Sequence, residues 1–475
     1  MPALPRPHRQ TTVELPPREA TLAAETDVLV VGGGPAGLGA ALGAADAGAD
    51  VILAERYGFF GGNATAALVM PLMSYFTQHP QPQRSGSKYL LPTDHGPGEP
   101  VIAGVLQRFI TRLIDEGGAL IPNLDTGYTV PFDPELFKHV ALEMIDQAGV
   151  HFLLHAFASG VVGDGRVEGV IFETKSGPLV VRAGTIVDCT GDGDVAACAG
   201  APYELGDVDG LVQPMTLLFR MSEFERTAFQ AYTRAHPDEW RGVHGLWSLV
   251  RSATATGELT LPREDILFFA TPREREVAVN STRVTRSVPV LGTDVWDLSY
   301  AEWESRRQMR QIAAFLRRHV PGFEKAYLDQ SGATVGVRET RRFIGDYQLT
   351  EEDVLSARKF DDVIARCSYP IDMHNPKGKG TILKRLPPGE AYDIPLRCLI
   401  PQKAEGLLVA GRCISGTREA HSSYRIMPAA MATGQAAGVC AALAALRRRL
   451  PREMPVRDVQ IELLRQGADL RGITP

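Results

Sequence analysis

The chain has 475 residues, 44% hydrophobic and 22% charged, with a formal charge of −6, which gives room for two or three globular domains and the wrong sign for a nucleic-acid-binding surface. Lys and Arg (50) are outnumbered by Asp and Glu (56), and the basic cluster Arg447 to Arg449 with Arg452 reads as the solvated end of a helix. Cys189, Cys198, Cys367, Cys398, Cys413 and Cys440 form no CxxC pair, so no local zinc site, ferredoxin-type cluster or closely spaced redox disulfide is expected. The polar, Pro-rich N-terminus lacks a signal pattern and no stretch reads as a membrane span, so the expected location is the cytoplasm.

In chain order, residues 26–55, TDVLVVGGGPAGLGAALGAADAGADVILAE, hold a strand, a glycine-rich turn, a helix, a second strand and a terminal carboxylate. Residues 27–31 are an apolar run suited to a buried parallel strand, and Gly32, Gly34 and Gly37 follow with GxGxxG spacing. Gly32 permits the tight turn, Gly34 lets backbone approach a pyrophosphate with no Cβ in the way, and Gly37 allows close helix–strand packing. The helix from Pro35 offers unpaired N–H groups and a partial positive charge at its start. Glu55 stands 23 residues beyond Gly32, at the distance where a carboxylate meets ribose hydroxyls. A lone GxGxxG is weak; five parts in register point to a dinucleotide site.

Further on, the Gly/Pro/Gln-rich residues 78–100 predict a loop, and residues 101–116 and 134–148 predict amphipathic helices, Pro134 fitting a helix start. Residues 151–157, 166–174 and 179–182 predict a β-meander with turns at Asp164-Gly165 and Ser176-Gly177. Residues 184–189 predict another buried strand, opening into Thr190-Gly191-Asp192-Gly193-Asp194 at the end where ligands of open α/β sheets sit. The texture changes over residues 201–394, with a polar helix at 299–319, strands at 213–221 and 342–349, and a capping box from Thr350 and Asp353.

Small residues return at the C-terminal end. Residues 407–410 predict a buried strand, Gly411 a turn, and residues 412–427 a polar loop before a helix begins at Pro428. Along that helix Ala430, Gly434 and Gly438 recur every four residues, so another backbone or a flat ring must approach this face. Its N-terminus would suit the electron-rich edge of a flavin. The fold class expected is α/β: a Rossmann-like FAD/NAD(P)-binding domain with parallel sheet and β-meander at residues 25–200, completed by 395–475 with C-terminal helices, around an inserted α+β substrate or cap domain at 201–394.

The segments DVLVVGGGPAGLGAALGAADAGADVILAER, YGFFGGNAT, IVDCTGDGDVAACAGAP, GVRETRRFIGDYQL and LLVAGRCISGTREAHSSYRIMPAAMATGQAAG together resemble the bacterial FAD-dependent oxidoreductases with a glutathione-reductase-like FAD domain. The resemblance spans nearly the whole chain, and its last segment is far more specific than its first. It implies that Gly32, Gly34, Pro35, Ala36, Gly37, Glu55 and Arg56 hold the ADP half of FAD. Gly61, Gly62 and Asn63 would run beside the pyrophosphate and ring, and Gly191, Asp192, Gly411, Arg412 and Met427 would complete the pocket. The flavin subunits of heterodisulfide and fumarate reductases are similar, but the iron–sulfur motifs of such proteins are absent here, so no metal is carried over.

The function expected is hydride exchange between a small organic molecule and flavin N5. Two alternatives compete: a pyridine-nucleotide flavoprotein reductase, which would show a second GxGxxG unit and a reactive cysteine pair, and a Rossmann-type NAD dehydrogenase or non-catalytic nucleotide module, which would not need the C-terminal segment. The partner is a small-molecule substrate with an anionic or polarised group; the electron acceptor is open. An acid or base and a holding cation are needed near the substrate. His421 and Arg425 are the candidates, with Arg342 and His374 behind them, and Arg338, Arg341 and Arg342 could together form a carboxylate clamp. Each also has a plain reading: a loop hydrogen bond for His421, a salt bridge for Arg425, an ion-pair network for Arg338, Arg341 and Arg342 with Glu339, and a surface loop for His374. Tyr424 reads as packing, and Cys413 as a buried thiol close to the cofactor.

Overall fold

The computed structural model describes residues 12–80, 87–92, 95–96, 98–377 and 380–473. The remaining positions of the predicted 78–100 loop lie outside these. β1 (Thr21–Val31) runs into α1 (Pro35–Asp46) and β2 (Val51–Ala54), as the glycine spacing predicts. α2 (Val105–Asp115) and α3 (Pro134–Gln147) follow, α3 capped by Asp133, whose carboxylate accepts from Glu135 N. Next come β3 (His151–Leu153), β4 (Phe157–Val162), β5 (Gly169–Thr174) and β6 (Gly177–Asp188).

The sheet order is β3-β2-β1-β6-β5-β4. β1, β2 and β3 are parallel, as are β1 and β6, while β4 and β5 complete an antiparallel meander on β6. Two expectations are corrected here. His151–Leu153 joins the parallel edge rather than the meander, and the strands predicted at 179–182 and 184–189 are one strand. β6 does both jobs because its first half pairs with β5, while Ile186 to Asp188 pair in parallel with a late strand described below.

A second, antiparallel sheet is built on β7 (Phe219–Ser222), β8 (Ile266–Ala270) and β9 (Glu276–Val279). It is backed by the long α4 (Val295–His319) and edged by β10 (Tyr327–Ser331). Strands are shorter than predicted: 213–221 is ordered as a strand only from Phe219, since Gln213 N and Leu217 N donate to the side chains of Glu339 and Thr282, and 342–349 only as Arg341–Phe343, since the residues after it donate to scattered backbone at Pro202, Ile400, Arg397 and Ser415. This sheet has its own apolar core, including Phe224, Phe229, Phe268 and Phe323, separate from the core under the parallel sheet. The Thr350–Asp353 capping box forms as read from sequence.

The chain returns as β11 (Leu407–Val409), α5 (Arg418–Tyr424) and α6 (Met427–Leu446). The expected polar loop over 412–427 is thus largely helical: Thr417 caps α5 by accepting from Ala420 N, and residues 420–424 are all buried. α6 is long and apolar enough to cross a membrane, against the expectation from sequence, yet 78% of its apolar window is buried inside the protein. What buries it is α1. A Cβ on Gly434 would lie 2.0 Å from Ala36 O, on Gly438 2.0 Å from Ala40 O, and on Gly39 2.1 Å from Met431 O, so the two helices touch backbone to backbone, as the four-residue spacing of small residues requires.

Candidate active site

The carboxyl ends of β1, β2, β6 and β11 open on a cleft of about 950 Å³. Its floor is the glycine turn. Gly32 has φ +100°, and a Cβ there would lie 2.5 Å from Cys189 O, so only glycine permits this turn against β6. At Gly34 a Cβ would meet nothing nearer than Gly62 Cα at 3.7 Å; the open side faces the cleft. α1 begins there with no side chain capping its first N–H groups, which leaves them for an anionic ligand. Gly37 lies behind the cleft, where a Cβ would be 1.7 Å from Gly32 O. Gly61 N donates to Gly33 O at 2.8 Å, which lays Gly62 and Asn63 along the rim.

Glu55 and Arg56 line the far end. Glu55 is buried, which pushes its pKa up, and its two oxygens accept from Gly33 N at 2.6 Å and Tyr57 N at 2.8 Å. The carboxylate therefore ties the glycine turn to the end of β2 and keeps lone pairs for a ligand hydroxyl. Asp188, missed in the sequence, does the same for β6. Fully buried, with its pKa raised to about 6 by desolvation, it accepts from Thr190 N (3.0 Å), Thr190 Oγ1 (2.7 Å) and Ala196 N (2.9 Å) and so closes the 190–194 turn.

Arg412 lies over Gly191, where a Cβ would stand 2.8 Å from the guanidinium, and is held by Asp192 at 2.7 Å. Asp192 itself does not line the cleft; its Oδ1, which accepts from Arg412, also accepts from Thr340 Oγ1 at 3.0 Å. Gly411 (φ +84°) and Met427 line the cleft directly. Cys413 does not: it is buried with its thiol toward Ala410 O at 3.5 Å, and Cys189 occupies the cleft wall instead.

A second cavity adjoins the first, with Asn63, Arg412, Arg425 and Met427 shared between them. Its walls are apolar at Val69, Met70, Met73, Leu218, Val337 and Ile426, and polar at Asn280, Arg338, Tyr369, Asp372 and His374. Asp372 is the hub. It accepts from Tyr369 Oη at 2.8 Å and lies 3.5 Å from Arg425 Nη2 and 3.6 Å from His374 Nε2; these donors hold its pKa well below the usual carboxylate range. His374 is pushed down to about 4 by burial and by Arg338, so it is neutral near pH 7. Arg283 Nη2 donates to its Nδ1 at 3.0 Å, which leaves the ring proton on Nε2, toward Asp372.

Of the four catalytic candidates, the structure brings Arg425 and His374 to this cavity and takes two away. His421 is fully buried in α5, with neither ring nitrogen hydrogen-bonded among the described residues and its pKa held far down by burial and by Arg342 and Arg425; it lines neither cavity. The error came from reading its segment as a loop. Arg342 is also buried and paired with Glu339 at 2.9 Å and Glu204 at 3.4 Å, in a network that includes Arg418 on Glu339 at 3.0 Å. Arg341 pairs with Asp194 at 2.9 Å. Of the three arginines Arg338, Arg341 and Arg342, Arg338 alone enters the cavity. Tyr424 packs as expected, its hydroxyl donating to Ile414 O at 2.9 Å. Tyr369, Asp372 and Asn280 carry no local sequence signal; they meet Arg338 through tertiary structure.

A glycine-floored cleft at the strand ends, an uncapped helix start and a carboxylate closing β2 fit a dinucleotide, and the adjoining apolar cavity adds room for a further ring or small molecule. These features define a dinucleotide-binding α/β protein with a second ligand space. The family model of FAD dependent oxidoreductases matches residues 27–463, so the chain belongs to that family and its cofactor is FAD. It is 28% identical over 183 residues to the thiamine thiazole synthase of Methanococcus aeolicus, a match covering 37% of this chain and 58% of that protein. Among solved structures it is similar to p-nitrophenol 4-monooxygenase from Pseudomonas putida (TM-score 0.45, 11% identity, 93% of this chain and 85% of that one). Another is a geranylgeranyl bacteriochlorophyll reductase-like protein from Thermoplasma acidophilum (TM-score 0.41, 14% identity, 94% and 82%).

Proposed function

We propose that this chain exchanges a hydride between a small organic substrate in the second cavity and FAD held along the first. The observation that carries this reading is the confluence of the two cavities at Asn63, Arg412, Arg425 and Met427. FAD, when bound, supplies a two-electron acceptor or donor at N5. The protein supplies the rest. The backbone at Gly32, Gly34, Pro35 and Ala36 receives the pyrophosphate, Glu55 the ribose, and Arg412, fixed by Asp192, the boundary between cofactor and substrate. Arg425 faces the substrate and is oriented by Asp372, while the apolar walls exclude water around the reacting carbon. Residues 25–200 with 395–475 act as the FAD domain and 201–394 as the substrate domain; Thr216, Leu218, Asn280, Arg338, Tyr369 and His374 on the second cavity support that division.

The test is anaerobic mixing of FAD-loaded protein with hydroxy acids, amines, sugars and enoates, the enoates after prior reduction of the flavin. Bleaching or reoxidation by one class at a saturable rate is expected, and Arg425→Ala should slow it about 100- to 1000-fold while retaining FAD, the usual cost of losing one preorganised charge donor. Protein that purifies without flavin, or flavin reduced efficiently by NADH or NADPH and by none of the panel, would overturn the reading.

A further inference from the structure

The charges of the second cavity do not balance. Arg412 is matched by Asp192 at 2.7 Å and Arg425 by Asp372 at 3.5 Å. Arg338 lines the same cavity without a carboxylate in ion-pair range among the described residues. Its Nη1 donates to Pro214 O at 2.7 Å and to Thr216 Oγ1, contacts that fix the side chain without neutralising it. Asp372 acts on it from beyond ion-pair range, but burial and the positive charges of Arg425 and Arg283 outweigh it and push the pKa down to about 9. A desolvated cation aimed by two neutral acceptors is costly unless an anion joins it, and a guanidinium fork suits a carboxylate.

We propose, building on the substrate-site reading above, that the substrate is a monocarboxylate with an apolar body, its carboxylate against Arg338 and its body against Val69, Met70, Met73 and Leu218. One uncompensated arginine calls for one negative charge. The apolar wall between Met70 and Leu218 disfavours sugars and polyanions, which would lose hydration there without partners. Asn280 Oδ1, buried in the same wall with no donor among the described residues, accepts a hydroxyl or amino group of the substrate.

The probes are hexanoate and hexanamide, equal in length and different in charge, titrated into FAD-loaded protein at pH 7.5 and followed by flavin difference absorbance and calorimetry. Hexanoate should bind at least about tenfold more tightly, the discrimination expected of a charge-assisted hydrogen bond. Arg338→Met should keep FAD and bring the two affinities within about threefold of each other. Should Arg338→Met fail to fold for want of its contacts to Pro214 and Thr216, Arg338→Lys decides: the ratio should fall at least about threefold, because an ammonium lacks the fork. Equal affinities in the unsubstituted protein, or a ratio unchanged by either substitution, would overturn the proposal. Failure here leaves the hydride-exchange reading intact if a neutral alcohol or amine still bleaches the flavin; failure of that reading shows instead as hexanoate binding with no bleaching by any of the panel.

Discussion

Gly34→Val separates the fold from the cofactor site. Gly34 has φ −72° and ψ −174°, an extended backbone that valine adopts without strain, and the nearest protein atom to its Cβ would be Gly62 Cα at 3.7 Å. The apoprotein should therefore tolerate the change. Loss of chain entropy in the unfolded state favours the variant by about 0.4 to 1 kcal/mol, and loss of glycine's preference over valine at a helix N-cap opposes it by on the order of 1 kcal/mol, so the two nearly cancel. FAD meets the opposite situation, because the methyl groups project into the cleft bordered by Gly32, Pro35 and Gly62. Overpacking of this kind costs about 1 to 3 kcal/mol, or roughly 5- to 150-fold in Kd. Flavin-stripped protein would be followed by thermal unfolding and by quenching of FAD fluorescence on titration. An unfolding midpoint near that of the parent with FAD binding weakened in this range is expected. Unchanged FAD affinity would refute the cradle, and a collapsed apoprotein would show that the space beside Gly34 is needed by the protein itself.

Gly434→Ala should do the reverse and damage both, since its Cβ would start 2.0 Å from Ala36 O; a loss of about 1 to 3 kcal/mol in denaturant unfolding, with weaker FAD binding, is expected. Glu55→Ala should weaken FAD by roughly 1.5 to 3 kcal/mol through the lost charged acceptor, and Glu55→Gln, which keeps one acceptor for Gly33 N or Tyr57 N, by less; equal FAD affinity in all three proteins would move the ribose contact elsewhere. His374 is held at about 4 in the fold against 6.5 when unfolded, so below pH 6.5 the unfolded chain binds the extra proton. Its stability contribution is full above 6.5 and drains as pH falls to about 4, at up to about 1.4 kcal/mol per unit. Urea unfolding at pH 7, 5.5 and 4.5 should show a shallower slope in His374→Asn, and an identical slope would count against the buried neutral imidazole.

The glycine-floored cleft was legible because its geometry is local. A turn that needs φ +100° at Gly32, a helix that must touch β1 at Gly37 and a carboxylate ending β2 sit within one contiguous segment, and each imposes a residue type. The small-residue spacing on α6 was legible for the same reason. His421 was misplaced because residues 420–424 are buried all round, so α5 shows neither an amphipathic period nor a loop's glycines, and its serines read as solvent-facing. Arg342 and Arg338 stand four residues apart in one polar run, and nothing local says that the first meets Glu339 and Glu204 while the second meets a cavity. That division is decided by the Tyr203–Leu205 strand, which pairs with Arg341–Phe343, and by the Ile371–His374 strand, more than a hundred residues and about thirty residues away respectively.

The two halves are also held by different physics. On the cofactor side, α1 and α6 interlock through backbone: Gly39 against Met431, Gly434 against Ala36 and Gly438 against Ala40. Chain segments nearly 400 residues apart are thus fixed without any side chain that evolution could exchange. On the substrate side the join is made by side chains, Asn63 donating to Val337 O at 3.1 Å, Arg341 to Asp194 at 2.9 Å and Thr340 to Asp192 at 3.0 Å. Backbone packing admits almost no substitution, whereas the apolar wall of the second cavity admits many, since volume-conserving swaps among apolar side chains cost little. A fold built this way fixes the cleft at the strand ends tightly and leaves the apolar wall of the second cavity open to exchange, and Arg338, which has no carboxylate in ion-pair range among the described residues, is the position at which such an exchange would be felt first.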